Sequence, residues 1–319
     1  MNQETKNLNF EDLSVLTVGD VMLDQYAFGK VDRISPEAPI PVFSKTSTKS
    51  TLGGSGNVSK NIRTLGAKSI LLAMIGNDKS GVKLESLCEE NEIDFHRIID
   101  SKRPTTRKQR FIAKSQQIMR LDEESSDIID DDILLKSIST FDYLIKNEKL
   151  DAIIIQDYNK GFLHPDFIKH IIKTANENGI LTVVDPKFKN LDAYHGCTAI
   201  KPNQKEISQA INRNVGHEVE DLRTATLELQ EMIKFEKAYV TLGSHGIYNF
   251  QSNTIDQALG IEILDITGAG DSVVALLSLL LASKFEEAKI CGLLNLIGNL
   301  SCRNQGAYAV EIDEIRQFS

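Results

Sequence analysis

The sequence predicts an α/β fold in which a mainly parallel sheet carries helices on both faces. Two features of the pattern lead there. Short β-branched runs stay apolar at successive positions instead of alternating with polar residues, and helical stretches separate one run from the next. A strand that is apolar on both sides has to be buried on both, and strand–helix–strand repetition supplies the two covering layers. A chain of 319 residues is long enough for one large domain of this kind.

The predicted strands are Ser14–Gly19, Lys68–Ile75, Ala152–Asp157, Leu181–Asp185 and Ala238–Leu242. The helices between them are Asn57–Leu65, stopped by Gly66, Pro165–Asn178, stopped by Gly179, and Glu218–Phe235. Two segments break the rhythm. Val31–Lys45 holds three of the seven prolines (Pro36, Pro39, Pro41) and cannot be a helix. Thr106–Leu121 reads as two strands around the polar turn Lys114-Ser115-Gln116-Gln117. Both fit a small β-lid attached to the sheet.

Composition narrows the function classes. With 36 Lys+Arg against 45 Asp+Glu the net charge is −9, which argues against binding a nucleic-acid backbone. No apolar run reaches the ~20 residues that span a bilayer, and Met1–Asp12 has no signal-peptide core, so a cytoplasmic protein is expected. Four scattered cysteines and six histidines without ligand spacing suggest neither a disulfide framework nor a zinc site. The second insert is locally exceptional. Residues 102–120 carry seven Lys and Arg with no acid, and residues 122–132 then carry seven Asp and Glu. Such segregation either balances on a solvated surface or turns basic side chains toward an anionic ligand.

The strongest chemical signal is Asp265-Ile266-Thr267-Gly268-Ala269-Gly270-Asp271, which runs directly into the helical stretch Ser272–Ala282. Small residues at 268–270 let backbone N–H groups converge at a helix start, where unpaired donors and the dipole both favour an anion. Asp271 stands at the same terminus. Its carboxylate is expected to be ionised near neutral pH and available to take a proton from an attacking hydroxyl. A second glycine cluster, Gly53-Gly54-Ser55-Gly56-Asn57, opens the first helix, and Asn57 can donate and accept hydrogen bonds to hydroxyls. The P-loop pattern fails, because Val82 follows Gly81 where a lysine is required, and no G-x-G-x-x-G follows a strand.

These two clusters resemble the two signatures of the ribokinase, or PfkB, carbohydrate kinases. Between them Lys201-Pro202-Asn203-Gln204-Lys205-Glu206 resembles that family's P-N-x-x-E motif, and Thr241-Leu242-Gly243-Ser244-His245-Gly246 its nucleotide-binding T-x-G-x-x-G. The resemblance runs from about Leu13 to Glu314. Within the family, the stretches 19–24, 33–42, Gln116-Gln117…Arg120-Leu121-Asp122, Asp157-Tyr158-Asn159-Lys160-Gly161 and Asp185-Pro186-Lys187 are most similar to D-glycero-D-manno-heptose-7-phosphate kinases. Many of those continue into a nucleotidylyltransferase domain. This chain ends at Ser319, so it is expected to correspond to the kinase part alone, a single domain over 1–319 with lid segments near 31–45 and 106–121.

The resemblance implies a ribokinase-like three-layer sandwich with a β-lid, ATP and Mg²⁺ as requirements, and a place in ADP-heptose and lipopolysaccharide core synthesis. It implies that Asp271 is the base and that Gly268, Ala269 and Gly270 stabilise the transferred phosphoryl group. Asp20, Asp24, Gly53, Gly54 and Asn57 would face the sugar. Asn203 and Glu206 would position magnesium through water, with Gln204, Lys205, Thr241, Gly243 and Gly246 around the nucleotide. Asp265 is a candidate for a monovalent cation, K⁺, as in some relatives. A sugar that already bears a phosphate needs a cationic grip, for which Lys160, Lys187, Lys108 and Arg110 are candidates. Apolar residues on the lid edge (Ile40, Val42, Phe43) predict a homodimer. A kinase for another sugar or sugar phosphate, or a non-catalytic sugar or nucleotide sensor, would keep the same fold.

Overall fold

The computed structural model describes residues 6, 8–114, 116–258, 260, 264–304 and 306–317. The first half of the chain forms β1 (Ser14–Gly19), β2 (Val21–Ile34), β3 (Pro41–Gly54), α1 (Ser55–Thr64), β4 (Lys68–Ile75), α2 (Lys79–Glu90) and β5 (Asp94–Ile99). It continues through β6 (Arg107–Ala113), β7 (Gln116–Glu123), α3 (Asp131–Asn147), β8 (Ala152–Gln156), α4 (Pro165–Glu177) and β9 (Leu181–Asp185). The remainder comprises β10 (Ala199–Ile200), α5 (Gln204–Ala210), α6 (Val219–Ile233), β11 (Lys237–Thr241), β12 (Ile247–Asn249), β13 (Thr254–Asp256), α7 (Ala269–Ala282), α8 (Glu287–Cys302) and α9 (Ile312–Gln317).

Among the described residues the main sheet has nine strands in the order β13-β12-β11-β10-β9-β8-β1-β4-β5. All neighbours from β5 to β11 pair parallel, and the pairs β11–β12 and β12–β13 at one edge are antiparallel. Alternate residues of each strand feed opposite layers, as the strand period requires. Leu16, Val18, Ile153 and Ile155 pack with α3, α4 and α6, whereas Val15, Ala152 and Ile154 pack with α1, α7 and α8. That is why these strands read as unbroken apolar runs.

Helix ends follow local chemistry. Gly66 and Gly179 each sit one residue past a helix C-cap. The amides of Gly66 and Ala67 return to the carbonyls of Arg63 and Ile62, and those of Gly179 and Ile180 to Asn176 and Ala175. The five predicted strands and the helices at 57–65, 165–178 and 218–235 match the observed boundaries to within two residues, while α7 begins three residues before the predicted Ser272. Among the described residues no helix is long and apolar enough to cross a membrane.

The lid is larger than the proline-rich segment suggests. It is a separate four-stranded sheet in the order β3-β2-β6-β7. The expected lid segment 31–45 is only the outer end of two 14-residue strands that begin at Val21 and finish at Gly54. Asp24, Gly53 and Gly54 are therefore lid residues. Gln116 and Gln117, expected in a turn, pair in β7 with Ala113 and Ile112, and Ser115 lies outside the described residues. The edge position of β3 tolerates Pro41, which has no N–H to donate.

Candidate active site

The carboxyl ends of β1, β8, β9 and β10 converge on the start of α7, the place where open parallel sheets gather polar groups. Asp271, in the first turn of α7, is buried there. One carboxylate oxygen accepts a hydrogen bond from Asn57 Nδ2 at 2.8 Å. The other accepts from the Tyr158 hydroxyl at 2.8 Å and from Gln156 Nε2 at 3.5 Å. Burial pushes the Asp271 pKa up to about 6, with Asp185 adding to the rise, while the Asn57 and Tyr158 hydrogen bonds and Lys201 pull against it. The carboxyl is thus mostly ionised at pH 7, though less comfortably than its place at a helix N-terminus predicts. Gly268 precedes the helix at φ 84°, and a Cβ there would stand 2.8 Å from Asn57 Nδ2. Only glycine lets α7 begin this close to Asn57.

Asp20 follows β1 directly and is also buried. Its Oδ2 accepts the amides of Tyr158 (2.9 Å) and Lys160 (3.1 Å), which fixes the loop after β8. Burial and the neighbouring Asp157 raise its pKa to about 6 against those backbone bonds. Asp24 lies on β2, paired in register with Lys108 of β6, and its carboxylate binds the Arg110 guanidinium. Gly53 lies against the Asp24 carboxylate, and Gly54 against the Asp20 carbonyl. The expected sugar-side residues Asp20, Asp24, Gly53, Gly54 and Asn57 therefore gather where the lid meets the sheet.

The expected cationic groups are partly brought together. The ammonium groups of Lys108 and Lys187 lie 6.0 and 5.7 Å from the centre of the Tyr158 ring. Lys160 pairs with Glu124 at 2.7 Å, and Lys187 pairs with Glu206. Burial works against the charge of Lys187, but Glu206, Asp185 and Asp157 outweigh it and raise its pKa. For Lys108 burial prevails, and Lys160 and Arg120 lower its pKa further, against Asp24 and Glu124. Arg110 is committed to Asp24 and lies 5.3 Å from the Tyr26 ring centre. The segregated charges of the second insert largely pair off, as Arg107–Glu123, Arg120–Asp122 and Lys102–Asp130.

On the other side of α7 a cavity of about 410 Å³ is lined by Asn203, Thr241, Gly243, Gly246, Ala269 and Gly270, with apolar walls from Ile247, Val273 and Leu294. A polar rim and an apolar back wall suit a planar base attached to phosphates. Gln204 and Lys205 do not line it. Gln204 Nε2 reaches the Val215 carbonyl at 2.7 Å, and Lys205 is exposed.

Asn203 and Glu206 form a capping box at the start of α5, each side chain bonding the other's backbone N–H, at 2.9 and 2.8 Å. Both Glu206 oxygens are engaged, one by Asn203 and one by Lys187, so this pair fits a metal held through water better than direct ligation. Among the described residues no cluster of three His, Cys, Asp or Glu could hold a metal. Asp265 accepts Thr267 N (2.9 Å) and Oγ1 (2.7 Å) on one oxygen and Gly306 N (2.9 Å) on the other. Burial opposes its charge, but these bonds and Arg110 hold its pKa below the ordinary carboxylate value.

Over residues 12–313 the sequence matches the pfkB family carbohydrate kinase model. The chain belongs to the pfkB family of carbohydrate kinases. It is an ATP-dependent sugar kinase with the ribokinase-like fold. The kinase is 38% identical over 308 residues to the bifunctional protein HldE of Campylobacter jejuni, covering 95% of this chain and 64% of that protein. It is 36% identical over 307 residues to the bifunctional protein HldE of Aliarcobacter butzleri, covering 96% and 64%. The kinase thus spans about 64% of the length of these relatives. Among solved structures, phosphofructokinase-2 from Escherichia coli in complex with potassium superimposes with a TM-score of 0.77 at 21% identity, covering 96% of this chain and 97% of that one.

Several residues around Asp271 had no role assigned from sequence. Gln156 ends β8 and Tyr158 follows it, Asp185 ends β9, and Lys201 follows β10. Lys201 Nζ lies 3.0 Å from Asp185 Oδ1 in a buried pair, and a Cβ on Gly270 would be 3.8 Å from that ammonium. For Gln156, Tyr158 and Asp185 the signal was available, at or just past the carboxyl end of a predicted parallel strand, whereas Lys201 follows the two-residue β10, which the sequence pattern does not predict.

Proposed function

We propose that this kinase phosphorylates the anomeric hydroxyl of D-glycero-D-manno-heptose 7-phosphate, forming the 1,7-bisphosphate for ADP-heptose and lipopolysaccharide core synthesis in the cytoplasm. The observation that carries the reading is the placing of Lys108 and Lys187 over the ring of Tyr158, whose hydroxyl is bonded to Asp271. Cations sit one aromatic ring away from the base. That spacing suits a substrate whose phosphate is remote from its reacting hydroxyl. The similarity to the HldE proteins over 95–96% of this chain supports a heptose kinase role.

In this reading Asp271 takes the proton of the anomeric hydroxyl as its oxygen attacks the γ-phosphorus, and the bond to the leaving ADP breaks. The Gly268–Gly270 segment, at the positive end of α7, and the Lys201 ammonium face the charge that spreads over the transferred group. Asp20, Asp24 and Asn57 orient sugar hydroxyls, and the lid excludes water. Thr241, Gly243 and Gly246 line the nucleotide cavity. Magnesium, held by the nucleotide and by Glu206 and Asn203 through water, would neutralise phosphate charge. Asp265, with its lowered pKa, is the group we assign to a monovalent cation. Exposed Ile40, Ile118, Met119 and Leu121 on the lid make it the surface for a homodimer.

The test is ADP release with Mg-ATP on heptose 7-phosphate, fructose 6-phosphate and ribose, alongside Asp271→Asn. Turnover confined to heptose 7-phosphate and reduced at least 100-fold in the variant is expected, the range for a lost general base. Preference for another acceptor would sink the heptose assignment. Nucleotide binding with no turnover on any acceptor would favour the sensor reading.

A further inference from the structure

The ion pair between Lys160 and Glu124 occupies a cation that the proposed acceptor needs. Lys160 is fixed by its backbone. Its N–H donates to Asp20 Oδ2 at 3.1 Å, and its carbonyl accepts from Arg103 at 3.4 Å. Arg103 in turn holds the Asp127 carbonyl at 2.9 Å and the Asp100 carboxylate at 2.8 Å. The Lys160 main chain is therefore tied to the segments that enter and leave the lid. Glu124 lies immediately after β7, and its carboxylate meets the Lys160 ammonium at 2.7 Å, with the two side chains 27% and 17% exposed. Among the described residues Lys108 forms no salt bridge, and burial together with Lys160 and Arg120 disfavours its charge. Lys108, Lys160 and Arg110 share two carboxylates, Asp24 held by Arg110 and Glu124 held by Lys160, which leaves one positive charge uncompensated.

We propose that Glu124 is a specificity-determining residue, a built-in anion that holds Lys160 until the phosphate of a phosphorylated sugar displaces it. This rests on the acceptor reading above and adds a selection step to it. A phosphate dianion carries more charge and more acceptor oxygens than the Glu124 carboxylate, so it can take Lys160 and also satisfy Lys108. A sugar without phosphate has nothing with which to break the pair, and the cations remain closed to it. Discrimination then comes from an internal competitor as well as from attraction. Because Glu124 directly follows the last lid strand, displacing it also alters a contact between lid and sheet only when the right ligand is present.

The experiment compares wild type, Glu124→Gln, Lys160→Met and the double variant in two assays. The first is KM for heptose 7-phosphate and for the same heptose without phosphate. The second is the increase in Tm produced by inorganic phosphate at constant ionic strength. Glu124→Gln is expected to lower the KM for the phosphorylated sugar about fivefold, the equivalent of about 1 kcal/mol for a competing ion pair. It should also enlarge the Tm response to phosphate, while the KM for the unphosphorylated sugar stays put. Lys160→Met should remove both gains in the double variant. An unchanged KM and unchanged phosphate response in Glu124→Gln would overturn the proposal, and so would an equal gain for both sugars. If wild type turns over neither sugar, the acceptor reading has failed, and the phosphate response alone still decides the role of Glu124.

Discussion

Replacing Tyr158 by Phe should move the pH dependence of catalysis while leaving the packing of the site intact. The ring that lies beneath Lys108 and Lys187 is kept. Only the hydroxyl that donates to Asp271 Oδ1 at 2.8 Å is removed, leaving Gln156 Nε2 at 3.5 Å on that oxygen. This hydrogen bond stabilises the ionised carboxylate, so its loss raises the Asp271 pKa further above the value of about 6 to which burial has already brought it. A hydrogen bond to a charged group contributes about 1.5–3 kcal/mol, which at about 1.4 kcal/mol per pH unit is a rise of roughly one to two units. The base acts only when deprotonated. The acid limb of kcat/KM should therefore shift from a midpoint near pH 6 to between about 7 and 8. At pH 7 the variant should lose between about twofold and about tenfold in rate, recovering nearly all of it by pH 9. Initial rates of ADP release from pH 5 to 9.5 at constant ionic strength would show this. Asp20 and the substrate phosphate also titrate near pH 6, but they are common to both enzymes, so the difference between profiles isolates Asp271. A pH-independent loss with an unmoved midpoint would refute the reasoning and assign the hydroxyl to substrate contact instead.

Asp271→Asn should stabilise the folded protein while it lowers turnover at least about 100-fold. A carboxyl whose pKa is raised on folding weakens the fold as pH rises through the ordinary value near 4 toward about 6, so above that range the neutral amide relieves up to about 3 kcal/mol. Denaturant titrations at pH 7 and pH 4 should show a gain at pH 7 that shrinks at pH 4, and no gain at pH 7 would contradict the burial argument. Gly298→Leu, on α8 in the wall of the 410 Å³ cavity, should raise the KM for ATP at least tenfold by filling it. Its Cβ would meet Val273 only at an ordinary 3.4 Å, and leucine favours helix over glycine by about 0.8 kcal/mol, so Tm should hold or rise. An unaltered KM for ATP would place the nucleotide elsewhere.

The sequence by itself determined the layered architecture and the two glycine-rich helix starts. Unbroken apolar strands such as Ala152–Gln156 can only be buried on both faces, and that single fact fixes the sheet and its two covers. Gly268 and Asp271 were legible because a helix N-terminus is a local structure with local chemistry. Glu206 shows the limit of that legibility: the same three-residue spacing that marks a phosphate-side motif also makes a capping box, and only the fold shows the box formed.

Tertiary structure decided everything that depends on approach across the chain. Asn57 and Asp271 are 214 residues apart and Gln156 and Asp271 are 115 apart, so no spacing rule links them. The elevated pKa of Asp271 belongs to the same class, since desolvation is set by what closes over a carboxyl and not by its neighbours in sequence. The extent of the lid was hidden because β2 and β3 are mostly polar toward their outer ends, where the sheet faces solvent and binary patterning fades. The fate of the basic run at 102–120 was hidden too. Arg107, which pairs with Glu123, and Lys108, which forms no salt bridge among the described residues, look alike until the fold brings a carboxylate into contact with one of them.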